Sequence, residues 1–74
     1  MRQIEEEILK AHDRGDAAAL ARLYLTGAEH TELNGEIDAA CFLYTTAYVF
    51  ALEAGDETIA AAARQKLVNH GREL

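Results

Sequence analysis

Proline and tryptophan are absent from this chain of 74 residues, and there is one cysteine, Cys41. Without proline, no segment carries the kink or forced stop which that residue imposes on a helix. With a single cysteine, no disulfide can close within the chain, so the fold needs no oxidising compartment. Basic residues are few: 7 Lys and Arg stand against 13 Asp and Glu, for a net charge of -6. Nucleic-acid binding requires a basic face, and anionic membranes attract basic segments. Neither partner is expected here. The longest stretch without a charge, Ala39 to Leu52, has 14 residues. That is short of the roughly 20 a bilayer-spanning helix needs and suits a buried helix. The opening Met-Arg-Gln-Ile-Glu-Glu-Glu holds no apolar signal core, so a cytoplasmic location is expected.

What is present points to helices. Half of the residues are apolar, enough for a globular fold in a single domain over 1–74. A domain this small buries only roughly 60% of its unfolded surface, so its stability depends on tight packing or on another chain. The pair Gly-Asp occurs at Gly15-Asp16 and again at Gly55-Asp56, forty residues later. Each pair follows one apolar-periodic segment and opens another, as in helical-repeat architectures. Gly15, Gly27, Gly35, Gly55 and Gly71 all fall where an apolar period stops or restarts.

Four helices follow. The first runs from about Arg2 to Arg14, with Ile4, Ile8 and Ala11 as a narrow stripe and Glu6 and Lys10 spaced for an ion pair. The second runs from about Ala17 to Thr26, capped by Asp16 and ended by Gly27. Residues 28–34 read as a polar loop anchored by Leu33. The third spans about Gly35 to Ala54, with Asn34 as a cap. Ile37, Ala40, Cys41, Tyr44, Ala47, Tyr48 and Ala51 form its main stripe. It is apolar nearly all round and is expected to be central, with Tyr44 and Ala47 more buried than anything in the first helix. The fourth runs from about Glu57 to His70, capped by Asp56, with Ile59, Ala60, Ala63 and Leu67 inward. Short links after the first and third helices force antiparallel neighbours. The expected fold is all-α: four helices in two stacked antiparallel αα-hairpins.

Leu20-Ala21, Tyr24 and Gly27, then Asp38-Ala39-Ala40, Leu43-Tyr44, Ala47 and Gly55, give the stretch from Leu20 to Gly55 a resemblance to a Sel-like repeat. That family is related to the tetratricopeptide repeat. The pattern departs from the family at Ala21, Leu43 and Tyr48, and its closing Gly55 comes about one helical turn late. The resemblance implies a protein-interaction scaffold without catalysis, and a binding surface lined by the second and fourth helices. Arg22, Thr26 and Lys66, with Arg64, are then the partner-binding candidates. Positive groups on an acidic chain favour an acidic partner or a C-terminal carboxylate. Phe42 and Phe50 lie off the main stripe of the third helix and form the alternative interface. Through it the chain would act as a self-associating homo-oligomer.

No catalytic or cofactor constellation stands out. Cys41 sits in an apolar setting with no neighbouring histidine, and a buried thiol is inert. The glycines are isolated, so no phosphate-binding loop exists. His12 has Asp13 and His30 has Glu29 and Glu32 nearby, but neither they nor His70 show the spacing of a zinc motif, and Glu5-Glu6-Glu7 reads as a solvated first turn. The expected outcome is no metal dependence: melting temperatures in excess zinc and in chelator should coincide. A stabilisation by zinc that disappears in His12→Ala or His70→Ala would contradict this reading.

Overall fold

The computed structural model describes residues 2–72, and among them no strand occurs. The elements are α1 (Arg2–Arg14), α2 (Ala17–Leu33), α3 (Ile37–Ala54) and α4 (Glu57–Asn69). They pack in chain order as two antiparallel hairpins, α1/α2 and α3/α4. The most extensive interface lies between α2 and α3, and α2 also reaches α4.

All four helices end in the same way. A glycine in the left-handed conformation follows each: Gly15 at φ 64°, Gly35 at 80°, Gly55 at 72° and Gly71 at 73°. At Gly15, its amide donates to the His12 carbonyl at 3.1 Å and the Asp16 amide to the Ala11 carbonyl at 3.0 Å. At Gly55 the equivalents are Gly55 to Leu52 at 3.2 Å and Asp56 to Ala51 at 2.8 Å. The pattern repeats at Gly35 and Gly71. These paired bonds satisfy carbonyls that a helix end otherwise leaves orphaned. Gly15, Gly35 and Gly55 are spaced twenty residues apart, one helix and its link. The forty-residue Gly-Asp period is therefore two of these units, with Gly35-Glu36 between.

The residue after each glycine decides how the next helix starts. Asp16 accepts from the Ala19 amide and Asp56 from the Ile59 amide, each at 3.0 Å. Glu36 has nearly the same backbone angles as Asp16 but makes no side-chain cap bond. Its carboxylate sits one methylene too far out to fold back onto the first turn.

Several boundaries differ from the sequence reading. Gly27 does not end α2; it is buried in mid-helix, and the helix continues to Leu33. The expected loop over 28–34 is thus mostly helix, and Ala28 is fully buried. Nothing stops the helix at Gly27 because Ala-Glu-His-Thr-Glu-Leu after it all tolerate helix, and the cost of one internal glycine is about 1 kcal/mol. The stop comes at Gly35, which lies outside α3, and Asn34 belongs to the end of α2 rather than capping α3. Glu6 and Lys10 form no ion pair; those of the described residues lie elsewhere.

The core is built largely of alanine. Of thirteen buried apolar residues, nine are Ala11, Ala19, Ala21, Ala28, Ala40, Ala47, Ala51, Ala60 and Ala63. Leu20, Cys41, Tyr44 and Leu67 complete it. Small residues let helix axes approach closely, so packing comes from backbone proximity as much as from side-chain volume. Tyr44 and Ala47 are fully buried as expected, but Ala11 of α1 is equally so, because α1 crosses α2 there. Of the stripe foreseen on α3, Ala40, Cys41, Tyr44, Ala47 and Ala51 are buried, and Ile37 and Tyr48 are half-buried. The rest of α3 is not enclosed. Only these five of its eighteen residues are buried, which leaves a helix more apolar than its packing requires. Over its full length α3 is long and apolar enough to cross a bilayer by length and composition. The shorter uncharged stretch had suggested otherwise.

The caps yield a test by chemical denaturation. Asp56→Ala should cost about 1 kcal/mol, whereas Glu36→Ala should stay within about 0.5 kcal/mol. Glu36→Asp should supply the missing cap and stabilise the chain by about 0.5–1 kcal/mol. A destabilising Glu36→Asp would show that the α2–α3 link needs the longer side chain.

Candidate functional site

Two regions carry chemistry beyond ordinary packing: a polar junction at one end of the bundle and an apolar face on the outside of α3 and α4.

The junction is organised by Tyr44. Its ring is enclosed at 0% exposure, so its hydroxyl needs a protein partner. It donates to Glu32 Oε1 at 2.8 Å. Glu32 stands in the last turn of α2, beyond Gly27, and only the continued helix brings it there. The same carboxylate accepts from Lys66 Nζ at 3.3 Å and is hydrogen-bonded to His70 Nε2. One carboxylate thereby ties α2, α3 and the end of α4 together. A salt bridge from Arg72 to Asp38, at 2.7 Å, lies at the same end. The bonds from His70, Tyr44 and Lys66 hold the Glu32 carboxyl down at about 2, far below its ordinary value. Burial, and the adjacent Glu32 carboxylate, push the Tyr44 phenol well above its own.

The second region is the outer surface of the α3/α4 hairpin. Phe42 is 70% exposed, Leu52 58%, Val68 51% and Val49 48%. On α3, Phe42, Val49 and Leu52 recur at helical spacing along one side. Beside them lies an open groove of about 430 Å³ whose walls include Tyr48, Ala51, Leu52, Ala60, Ala61 and Arg64. Asp56 and Glu57 line it too. The Arg64 guanidinium makes no ion pair with any carboxylate of the described residues.

No family model, curated protein or solved structure matches this chain. The site must be read from its own geometry.

That geometry separates the residues singled out from sequence. Arg22 is exposed on α2 and lines a groove with Glu7, Lys10 and Arg14 of α1. Lys66 is half-buried and held on Glu32, so it does not converge with Arg22 on a common face. Thr26 donates its hydroxyl to the Arg22 carbonyl at 3.1 Å. Arg64 is on the opposite side of α4 from Lys66, facing the α3 groove. The aromatic pair is divided as well. Phe50 stacks on Tyr24, with ring centroids 5.7 Å apart, and His12 stands edge-on to both. It belongs to the α1/α2 side, and Phe42 alone is free.

Two features went unseen in the sequence. His12 bonds the Tyr24 hydroxyl at 3.2 Å, and His70 bonds Glu32 rather than serving only the last carbonyls of α4. Glu32 lay within the supposed loop, where nothing marked it as a partner for Tyr44. The signal was present in principle: Tyr44 on a buried stripe must find an acceptor.

The junction gives a pH test. The carboxyl of Glu32 is depressed in the folded state, so its stabilisation is complete above its unfolded value near 4.5. It is lost as pH falls from there through about 2, where the folded carboxyl takes up its proton. Denaturation at a series of pH values should show the wild type losing stability across this window. Glu32→Gln should be less stable at neutral pH and lose less on acidification. Parallel curves for the two proteins would show that Glu32 does not carry the effect.

Proposed function

We propose that this chain is a small protein-interaction module, a scaffold or adaptor without catalysis of its own. The observation that carries this reading is the set of large exposed apolar side chains on α3 and α4, Phe42, Val49, Leu52 and Val68, with Leu52 on the wall of the α3/α4 groove. Large apolar side chains gathered on one face, with polar groups at the rim, mark a surface that another molecule covers. The resemblance of Leu20–Gly55 to a Sel-like repeat supports the same reading, since that stretch covers most of α2 and all of α3, with α1 and α4 flanking it. The titratable cluster is better suited to structure than to catalysis. Tyr44, Lys66 and His70 are all engaged by one carboxylate that holds three helices together.

The interface moves relative to the sequence expectation. Arg22, Thr26 and Lys66 are separated or engaged, whereas Arg64 lies in the apolar groove beside Leu52. A cytoplasmic setting suits the single, buried, unpaired Cys41. Self-association as a homo-oligomer is the second reading, because the same apolar face could be covered by another copy.

Photo-crosslinking in cells tests both. A photoreactive amino acid at position 42 or 52 should give adducts with a different protein, and one at exposed Ala18 or Ala62 should not. Adducts of the chain with itself would favour the oligomer. No adduct at any of the four positions would overturn the interaction reading.

A further inference from the structure

The groove between α3 and α4 has a shape and a charge order that specify its occupant. Ala51, Ala60 and Ala61 leave room on its walls for a backbone to come close, and Tyr48 and Leu52 stand beside them. Leu52 is exposed on the α3 wall, and Val68 lines an adjoining hollow that shares Ala61 and Arg64. A trough between two helices with a shallow apolar bed accepts a third helix, whose apolar stripe provides anchors at i, i+3, i+4 and i+7. α2, α3 and α4 already pack in this manner, each laid against the one before it, so a helix here would continue the stack.

Continuing the up-and-down alternation of the stack sets that helix antiparallel to α4, and charge then specifies its sequence. Asp56 and Glu57 line one end of the groove, and exposed Glu53 is close in sequence to them. Arg64, without an ion-pair partner among the described residues, lies further along α4. From Glu57 to Arg64 is two helical turns, about 10 Å. A helix running antiparallel to α4 brings its carbonyl end to Glu57. A Lys or Arg in its last turn would satisfy both those carbonyls and the carboxylates. Two turns earlier, a carboxylate on the same side would meet Arg64.

We propose that this groove binds an amphipathic helix of a different protein, antiparallel to α4, with a basic residue in its last turn and an acidic residue seven positions before it. The proposal rests on the reading of the chain as an interaction module and names the class of partner. A second copy is disfavoured on two grounds. Each copy brings the same net charge of -6. The chain's own α1 does carry Glu7 and Arg14 at this spacing, but Ala11 between them is buried against α2, so that face is not free.

The probes are two synthetic helical peptides of roughly 18 residues, five turns, with Leu and Ala on one face. The first has Glu facing Arg64 and Lys seven positions later in the last turn; the second has these two exchanged. Titration into the intact protein, followed by backbone amide shifts and calorimetry, should show the first binding about tenfold more tightly. Shifts should centre on Leu52, Ala61 and Arg64. Arg64→Glu, an exposed change that should leave helicity intact, should abolish the preference, because each peptide then makes one favourable and one unfavourable charge contact. Equal affinities for the wild type, or shifts centred on α1 and α2, would overturn the proposal. So would sedimentation showing a dimer that Leu52→Asp dissociates, because the face would then belong to a second copy. If neither peptide binds while photo-adducts at positions 42 and 52 persist with another protein, the helical partner is refuted and the interaction module stands.

Discussion

The hydrogen bond from the Tyr44 hydroxyl to Glu32 is the contact on which the rest of the arrangement depends. Tyr44 is the one large side chain among the alanines at the centre of the α2/α3/α4 cluster, apart from Leu67. An alanine core offers little area per residue, and burying a methyl group contributes only about 0.8 kcal/mol. A ring of Tyr44's size supplies what the alanines cannot, on condition that its hydroxyl is not stranded. Glu32 meets that condition, and to reach it α2 must run about a turn and a half beyond Gly27. The carboxylate so placed is itself costly to bring to a partly buried site without counter-charges. Lys66, from the far end of α4, provides one, and His70 adds a hydrogen bond. One buried ring thus fixes the length of α2, the register of α3 and the seat of α4.

How much of this could be read from the residues divides by physical range. The left-handed glycines at Gly15 and Gly55, and the aspartates after them, act within a few residues, so helix ends and starts were legible there. The buried stripe of α3 was legible because period alone determines it. Gly27 was misread because a glycine says only that a left-handed turn is allowed, and whether it is used depends on what the following helix touches. Arg22 and Lys66 were placed on one face by analogy with a repeat, whereas Lys66 is drawn inward by a carboxylate thirty-four residues away. Interactions of that range leave no local trace.

The same division explains the apolar face. Phe42 and Phe50 were both recognised as lying off the main stripe, but periodicity could not tell which side had a neighbour. Helices α1 and α2 supply one for Phe50 through Tyr24 and His12. No described helix supplies one for Phe42. The helix that looked most certain to be enclosed is therefore the one that presents three large exposed apolar side chains, Phe42, Val49 and Leu52, and composition had registered the excess without locating it.

The two-residue links have a consequence for how the chain can change. In Gly15-Asp16 and Gly55-Asp56, two amides close the helix behind and one carboxylate opens the helix ahead, so no slack remains between these helices. Adding or deleting one residue within a helix turns everything after it by about 100° about the helix axis. Such a change between Glu57 and Lys66 would carry Lys66 and His70 away from Glu32, and with no flexible linker to absorb the rotation, the error would persist to the end of the chain. The helices of this protein are therefore held in phase, and their lengths are as constrained as the identities of their buried residues.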